Sequence, residues 1–158
     1  MKPFLIFGWL LLPVASFAQQ APAPSPASVA GAKPPIVLPP KKANAILVQR
    51  RDSGLVALTA LMQGLVNRGY VIKDVNREQL TVRTEPRAVS EVGAVVLTGA
   101  VQGRQFVLTG AFAPELASRR STPISYTGEE RHDRASEAWE ELVKAAGMLG
   151  GSLTYRTQ

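Results

Sequence analysis

The sequence predicts an α+β domain in which an antiparallel sheet of about five to six strands carries two amphipathic helices on one face. Apolar residues recur every three or four positions in two stretches, about 53–68 and 134–149, as they do in helices that bury one side. Val96–Val101 and Val107–Phe112 nearly repeat each other around Gln102-Gly103, which indicates a β-hairpin. No strand-helix-strand unit recurs along the chain, so we expect an antiparallel sheet. The alternative is a central sheet between two helical layers.

The amino-terminal residues have the layout of a secretory signal peptide. Lys2 is followed by an uncharged apolar run, Phe4–Val14, and then by small residues at Ser16 and Ala18. The run is shorter than the roughly 20 apolar residues that cross a bilayer. We therefore expect residues 1–18 to be removed by cleavage after Ala18, and the protein to be exported, either periplasmic or secreted.

Residues 19–41 are predicted to be a disordered linker rich in proline and alanine. Proline fixes φ and removes a hydrogen-bond donor, so such a stretch joins neither a helix nor a central strand. Extended, semi-rigid spacers have this composition. The prolines are Pro22, Pro24, Pro26, Pro34, Pro35, Pro39 and Pro40.

The domain itself is expected to span residues 42–158 and to begin with a strand and a helix. Ala43–Gln49 is short and apolar, which favours a strand. Asp52 and Ser53 can cap a helix, and Gly69 can close it in a left-handed conformation. The residues predicted to face the core from this helix are Leu55, Leu58, Leu61, Met62, Leu65 and Val66.

Four strands are predicted to follow, and the last two form the hairpin. Tyr70–Val75 and Gln79–Thr84 read as a pair joined by a polar turn, and residues 88–92 read as a looser connection. With Gln102-Gly103 as a two-residue turn, Leu97 lies opposite Leu108. One face of the hairpin is then apolar, whereas the other is lighter and partly polar. The apolar face contains Val95, Leu97, Val101, Phe106, Leu108 and Phe112, and the lighter face contains Thr98, Ala100 and Thr109.

The remaining elements complete the order β-α-β-β-β-β-(β)-α-β. Ile124–Thr127 is a candidate short strand, Asp133 can cap the second helix, and Leu153–Tyr155 can form a final strand. The second helix is lined on one side by apolar residues, and charged residues lie mainly on its other side. The apolar side has Ala135, Trp139, Leu142, Ala146 and Leu149, and the charged side has Glu137, Glu140, Glu141 and Lys144.

The charge of the chain indicates a basic main body. Without the signal peptide 17 basic and 12 acidic residues remain, and residues 19–120 alone carry a net charge of +7. Such a surface can attract anionic lipid headgroups or glycans. A nucleic-acid partner is not expected, since the chain is predicted to be exported and its aromatic residues fall mostly on core faces.

Few residues of the sequence can support catalysis. The absence of cysteine excludes thiolate nucleophiles and zinc thiolate sites within the chain, and His132 is the single histidine. No Gly-x-Ser-x-Gly elbow and no glycine-rich phosphate loop opens a helix. We therefore expect neither an enzyme nor a cofactor or metal. The alternative is a hydrolase that uses the acidic residues between Glu129 and Glu137.

One family resemblance follows from the order of elements over residues 43–156. A helix that ends in Arg68-Gly69-Tyr70, an antiparallel meander and a helix that carries Trp139 are similar to the helix-plus-sheet domains of small bacterial cell-envelope proteins. The BamC outer-membrane accessory lipoprotein is the example that this chain resembles. The resemblance implies a non-catalytic envelope accessory that binds partners, although this chain has no cysteine that could be lipidated.

The function expected from these observations is binding or structural support in the cell envelope. The mature chain has no second apolar stretch that could span a membrane, so its partner is expected to be an envelope protein or an anionic surface. Electrostatic adhesion to an anionic membrane or glycan is a further alternative. The candidate partner-binding residues are Thr98, Arg104, Thr109, Arg119 and Arg120.

Overall fold

A computed structural model describes residues 38–116, 118, 120–128 and 133–158. Eight strands and two helices follow one another over these residues. They are β1 (Ala45–Gln49), α1 (Gly54–Asn67), β2 (Ile72–Asn76), β3 (Thr81–Thr84), β4 (Arg87–Val89), β5 (Gly93–Gln102), β6 (Gln105–Ala113), β7 (Thr122–Pro123), α2 (Arg134–Gly147) and β8 (Ser152–Arg156). The predicted α+β class is confirmed, and the signal peptide and most of the linker lie outside the described residues.

All eight strands join one antiparallel sheet, which exceeds the five to six strands predicted. Its main order is β2-β3-β5-β6-β1-β8. The two extra strands are β4, where a looser connection was predicted, and β7, which lies just before the predicted strand 124–127. β5 and β6 are long enough for each to pair with two short strands along one edge: β3 and β4 pair with β5, and β1 and β7 pair with β6.

The β5-β6 hairpin forms, but its predicted register is wrong by two residues. Leu97 pairs with Gly110 and Gly99 pairs with Leu108, so the two central turn residues are Gly103 and Arg104. Gly103 has a φ of 58°, and the first central position of a type II′ turn is where glycine is favoured. A slip of two residues leaves every side chain on its own face. The predicted apolar face is therefore confirmed, and Phe112 is its only half-buried member.

Both helices pack on this apolar face, and one hydrophobic core lies between them and the sheet. α1 contacts β5, β2 and β3, whereas α2 contacts β6 and β1. The core side chains supplied by the strands include Ile46, Val48, Leu97, Phe106 and Leu108, and all of them are almost fully buried. The segment just after α2 also contacts α1, because the side chain of Leu149 fills the space beside Gly64.

α1 ends as predicted but presents a different stripe to the core. Gly69, with a φ of 89°, follows the last turn, and the N–H groups of Gly69 and Tyr70 donate to the carbonyls of Val66 and Leu65. This is a Schellman motif. Leu58, Leu61 and Leu65 are buried as predicted, whereas Leu55 and Val66 are exposed and Met62 is half-buried. The small residues Ala57 and Gly64 take the remaining inward positions.

β1 joins the two ends of the domain. Ile46 pairs with Leu108 of β6 on one side and with Tyr155 of β8 on the other. Asn44 and Gln158 exchange two hydrogen bonds next to this pairing, although they are 114 residues apart in the chain. β1 therefore lies between two strands, β6 and β8, that are far from it in the sequence.

Candidate functional site

Both described helices pack on one side of the sheet, and we call the opposite side the open face. Thr98 and Thr109 lie directly opposite each other at its centre, where the Thr109 hydroxyl donates to the Thr98 carbonyl at 3.4 Å. Arg83 pairs with Thr98 from β3, and Asp74 lies opposite Arg83. On the far side, alternation along β8 places Arg156 on the same face, because its neighbour Tyr155 points to the core.

A shallow depression of about 250 Å³ lies at the centre of the open face. The two threonines and Arg83 form part of its lining, and Asn44 and Gln158 contribute amide groups at one side. The volume is below the roughly 300–1,000 Å³ that small-molecule sites usually enclose. Hydroxyl, amide and guanidinium groups on a flat surface can hydrogen-bond a polymer or a protein.

Of the four predicted binding residues that the structure describes, two come together. Thr98 and Thr109 form a cross-strand pair, and the corrected register is what brings them opposite each other. Arg104 is exposed at the hairpin turn, whereas Arg120 is exposed just before β7, near the opposite end of β6. The two arginines are therefore at different ends of the sheet and do not form one surface. Arg119 lies outside the described residues.

The acidic cluster predicted for the hydrolase alternative is described only in part. Glu129, Glu130 and His132 lie outside the described residues. Asp133 acts as the predicted helix cap, since its carboxylate accepts a hydrogen bond from the Ser136 N–H at 2.8 Å. Across the described part of the chain, no three acidic or histidine side chains are grouped closely enough to hold a metal ion.

A buried charged cluster around Glu141 was not predicted. The sequence pattern placed Glu141 on the charged side of α2, but the residue is 4% exposed. Arg68 donates to one carboxylate oxygen at 2.6 Å, and Arg87 and the Tyr70 hydroxyl donate to the other at 2.9 and 3.0 Å. The guanidinium of Arg87 also lies 4.9 Å from the centre of the Tyr70 ring.

This cluster connects the end of α1, the start of β4 and the middle of α2. Burial and the neighbouring Glu141 carboxylate raise the pKa of the Tyr70 hydroxyl well above its ordinary value, so Tyr70 remains a hydrogen-bond donor. Three protein groups therefore donate to the two carboxylate oxygens of Glu141. The hydrogen bonds connect these elements, and no local sequence signal indicates them, because Arg68 and Arg87 lie 73 and 54 residues away from Glu141 in the chain.

A second concave surface lies between α2, β8 and the segment before α2, and we call it the aromatic groove. Tyr126 and Trp139 have ring centres 5.7 Å apart, and Trp139 and Tyr155 have ring centres 5.9 Å apart. Val143 and the side chains of Leu38 and Pro39 complete the apolar lining of a cavity of about 310 Å³. Sequence periodicity assigned these aromatic residues to the core, and only Trp139 among the three is fully buried.

The sequence of the chain matches no protein-family model and no curated protein. The resemblance to BamC-like envelope domains therefore stays a prediction. No helix within the described residues is long and apolar enough to pass through a membrane.

Proposed function

We propose that this protein is an exported, non-catalytic domain that binds another component of the bacterial cell envelope through the open face. The observation that carries the proposal is the asymmetry of the sheet. Both helices pack on one side, and the other side presents the Thr98–Thr109 pair between Arg83 and Arg156. The amino-terminal sequence supports export, because residues 1–18 have the layout of a cleavable signal peptide.

The chemistry of the open face favours an extended anionic partner over a small molecule. Arg83 and Arg156 are both exposed, and Asp74 lies opposite Arg83. Three strands, β5, β6 and β1, separate β3 from β8, so the two guanidinium groups originate about 19 Å apart at 4.8 Å per strand. An acidic protein surface or an anionic glycan can reach both groups at once, whereas a ligand the size of the central depression cannot.

Site-specific photocrosslinking tests the binding surface. A benzophenone amino acid at Thr98 or Thr109 is expected to trap a discrete species in envelopes of the organism that encodes the protein. The same group at Thr59, which is exposed on α1, serves as the matched control and is expected to trap nothing discrete. Equal crosslinking from Thr59 and Thr98 would remove the open face from the proposal.

Charge reversal tests whether the trapped partner is bound through the positive charge of Arg83. Arg83→Glu is expected to reduce crosslinking from Thr98 several-fold, and added salt is expected to reduce it further, because exposed charges are screened over about 8–10 Å at physiological salt. Simple adhesion to lipid predicts a different result, namely salt-sensitive sedimentation with anionic vesicles that contain no protein.

Export is tested separately by determining the first residue of the mature protein, which is expected to be Gln19.

A further inference from the structure

The aromatic groove has the composition of a site for extended apolar peptide. Its walls are the rings of Tyr126, Trp139 and Tyr155 and the side chain of Val143, and the Glu140–Lys144 ion pair, 3.2 Å long, lies at its rim on α2. Tyr126 is held rigidly, because its backbone N–H donates to Ala43 and its carbonyl accepts from Lys42. These two bonds fix the backbone of Tyr126 beside the segment that precedes β1.

The chain itself shows which chemistry this surface accepts. Pro39 is half-buried against the groove, and the adjacent Leu38 is 75% exposed. With both residues in place, the cavity of about 310 Å³ remains beside them. One proline thus already lines the groove together with the aromatic rings, and the cavity leaves room for further residues of the same kind.

Polyproline II segments suit such a wall for a physical reason. Proline presents a flat apolar ring, and its fixed φ means that little conformational entropy is lost when an extended segment binds. Aromatic grooves that recognise such segments combine ring stacking with donors on tyrosine and tryptophan. We propose that the aromatic groove binds an extended proline-containing segment of a partner protein, next to the chain's own Leu38-Pro39.

This site is independent of the open face. Tyr155 points to the helix side of the sheet, whereas Thr98 and Thr109 point to the opposite side. A ligand in the groove therefore leaves the open face accessible, and a defect in one site is not expected to change binding at the other.

Tryptophan fluorescence measures binding at the groove directly. The full chain with Trp9→Phe retains Trp139 as its single tryptophan. A short synthetic peptide built of Ala-Pro and Leu-Pro-Pro units is titrated into this protein, with the same peptide bearing alanine at every proline as the control. We expect a saturable shift in Trp139 emission with the proline peptide and none with the alanine peptide.

Two groove variants and one control variant locate the binding. Val143→Lys and Tyr155→Ser are each expected to weaken binding by at least about tenfold, because they place a charge in the groove or remove a ring. Val66→Lys introduces the same lysine on the exposed side of α1 and is expected to bind as the parent protein does. Circular dichroism and the thermal midpoint verify that each variant is folded.

Three results would overturn the proposal. The first is binding of the proline peptide with equal affinity to the parent protein and to both groove variants, and the second is the absence of saturable binding. The third is binding that occurs only after Leu38→Ser and Pro39→Ser are introduced together, because the groove of the parent protein would then be occupied by the chain's own segment.

Discussion

The two helices have the same length and lie on the same face of the sheet, yet the outer side of α1 is apolar and the outer side of α2 is charged. α1 contains no charged residue, and its outer side exposes Leu55, Val56 and Val66. α2 has an outer side with the Glu140–Lys144 pair, and it also buries a charged residue, Glu141, against the end of α1. Residue type alone therefore does not show which side of a helix is buried. Contact with the sheet determines which residues of α1 are buried, and hydrogen-bond partners allow Glu141 of α2 to be buried.

Removal of the Glu141 carboxylate is expected to lower the free energy of unfolding more than any other change considered for the two helices. Glu141→Ala leaves Arg68 and Arg87 without their carboxylate, and we expect a loss of about 3 kcal/mol in the free energy of unfolding. This is near the lower limit for a broken buried pair, because the two arginines are 30% and 33% exposed and regain water. Glu140→Ala, one residue away on the exposed side, is expected to cost about 0.5 kcal/mol or less. Urea unfolding followed by circular dichroism measures both, and equal losses would contradict the role assigned to Glu141.

Packing of α1 on the sheet is expected to show the next largest effect. A Cβ atom at Gly99 would lie 2.8 Å from Cδ2 of Leu61, so Gly99→Val overfills the contact and is expected to cost about 1–3 kcal/mol. Thr98→Val changes the neighbouring residue on the open face and is expected to alter stability little. The double variant Gly99→Val/Leu61→Ala is expected to lose less stability than the sum of the losses of the two single variants. A strictly additive double variant would show that the two residues do not contact each other.

The helix starts offer a smaller test of the same contrast. Asp133 caps α2 through its side chain, whereas Ser53 makes no side-chain cap at α1. Asp133→Ala is therefore expected to cost about 1 kcal/mol, and Ser53→Ala only a few tenths of that, although serine is a preferred cap residue. Thermal unfolding midpoints of the two variants give the comparison, and a larger shift for Ser53→Ala would reverse it.

The smallest expected effect is a difference in alkaline behaviour. The pKa of Tyr70 is raised in the folded protein, so the folded state keeps a proton that the unfolded chain releases as pH rises above about 10. Stability from this group is fully present below that pH and declines above it. Tyr70→Phe should remove this part of the decline, measured as the slope of unfolding free energy against pH between about 9.5 and 11. An unchanged slope would mean that Tyr70 titrates freely.

The sequence predicted the faces of the fold better than its exact pairing. Alternation of large and small residues assigned Leu97, Phe106 and Thr98 to the correct sides of the hairpin, because a strand has only two sides. The register depended on which residue takes a positive φ, and the turn places Gly103 first instead of second. Strands of two or three residues, such as β7 and β4, carry too few side chains to show a periodic pattern.

Sites that depend on distant partners were not predictable in the same way. Glu141 is buried because Arg68 and Arg87 reach it from 73 and 54 residues away in the chain, and helical periodicity contains no information about such partners. The aromatic groove likewise combines residues from α2, β8 and two connecting segments. By contrast, Thr98 and Thr109 belong to one hairpin, so a local pattern was enough to place them on a shared surface.

The position of β1 determines when the domain can be completed. A ribosome or a translocation channel releases a chain from its amino end, so β1 emerges long before β8, the strand that covers one of its edges. Contacts between residues so distant in sequence are slow to form, because a large loop must close first. The sheet can therefore be completed only after β8 has emerged, and until then one edge of β1 has no paired strand.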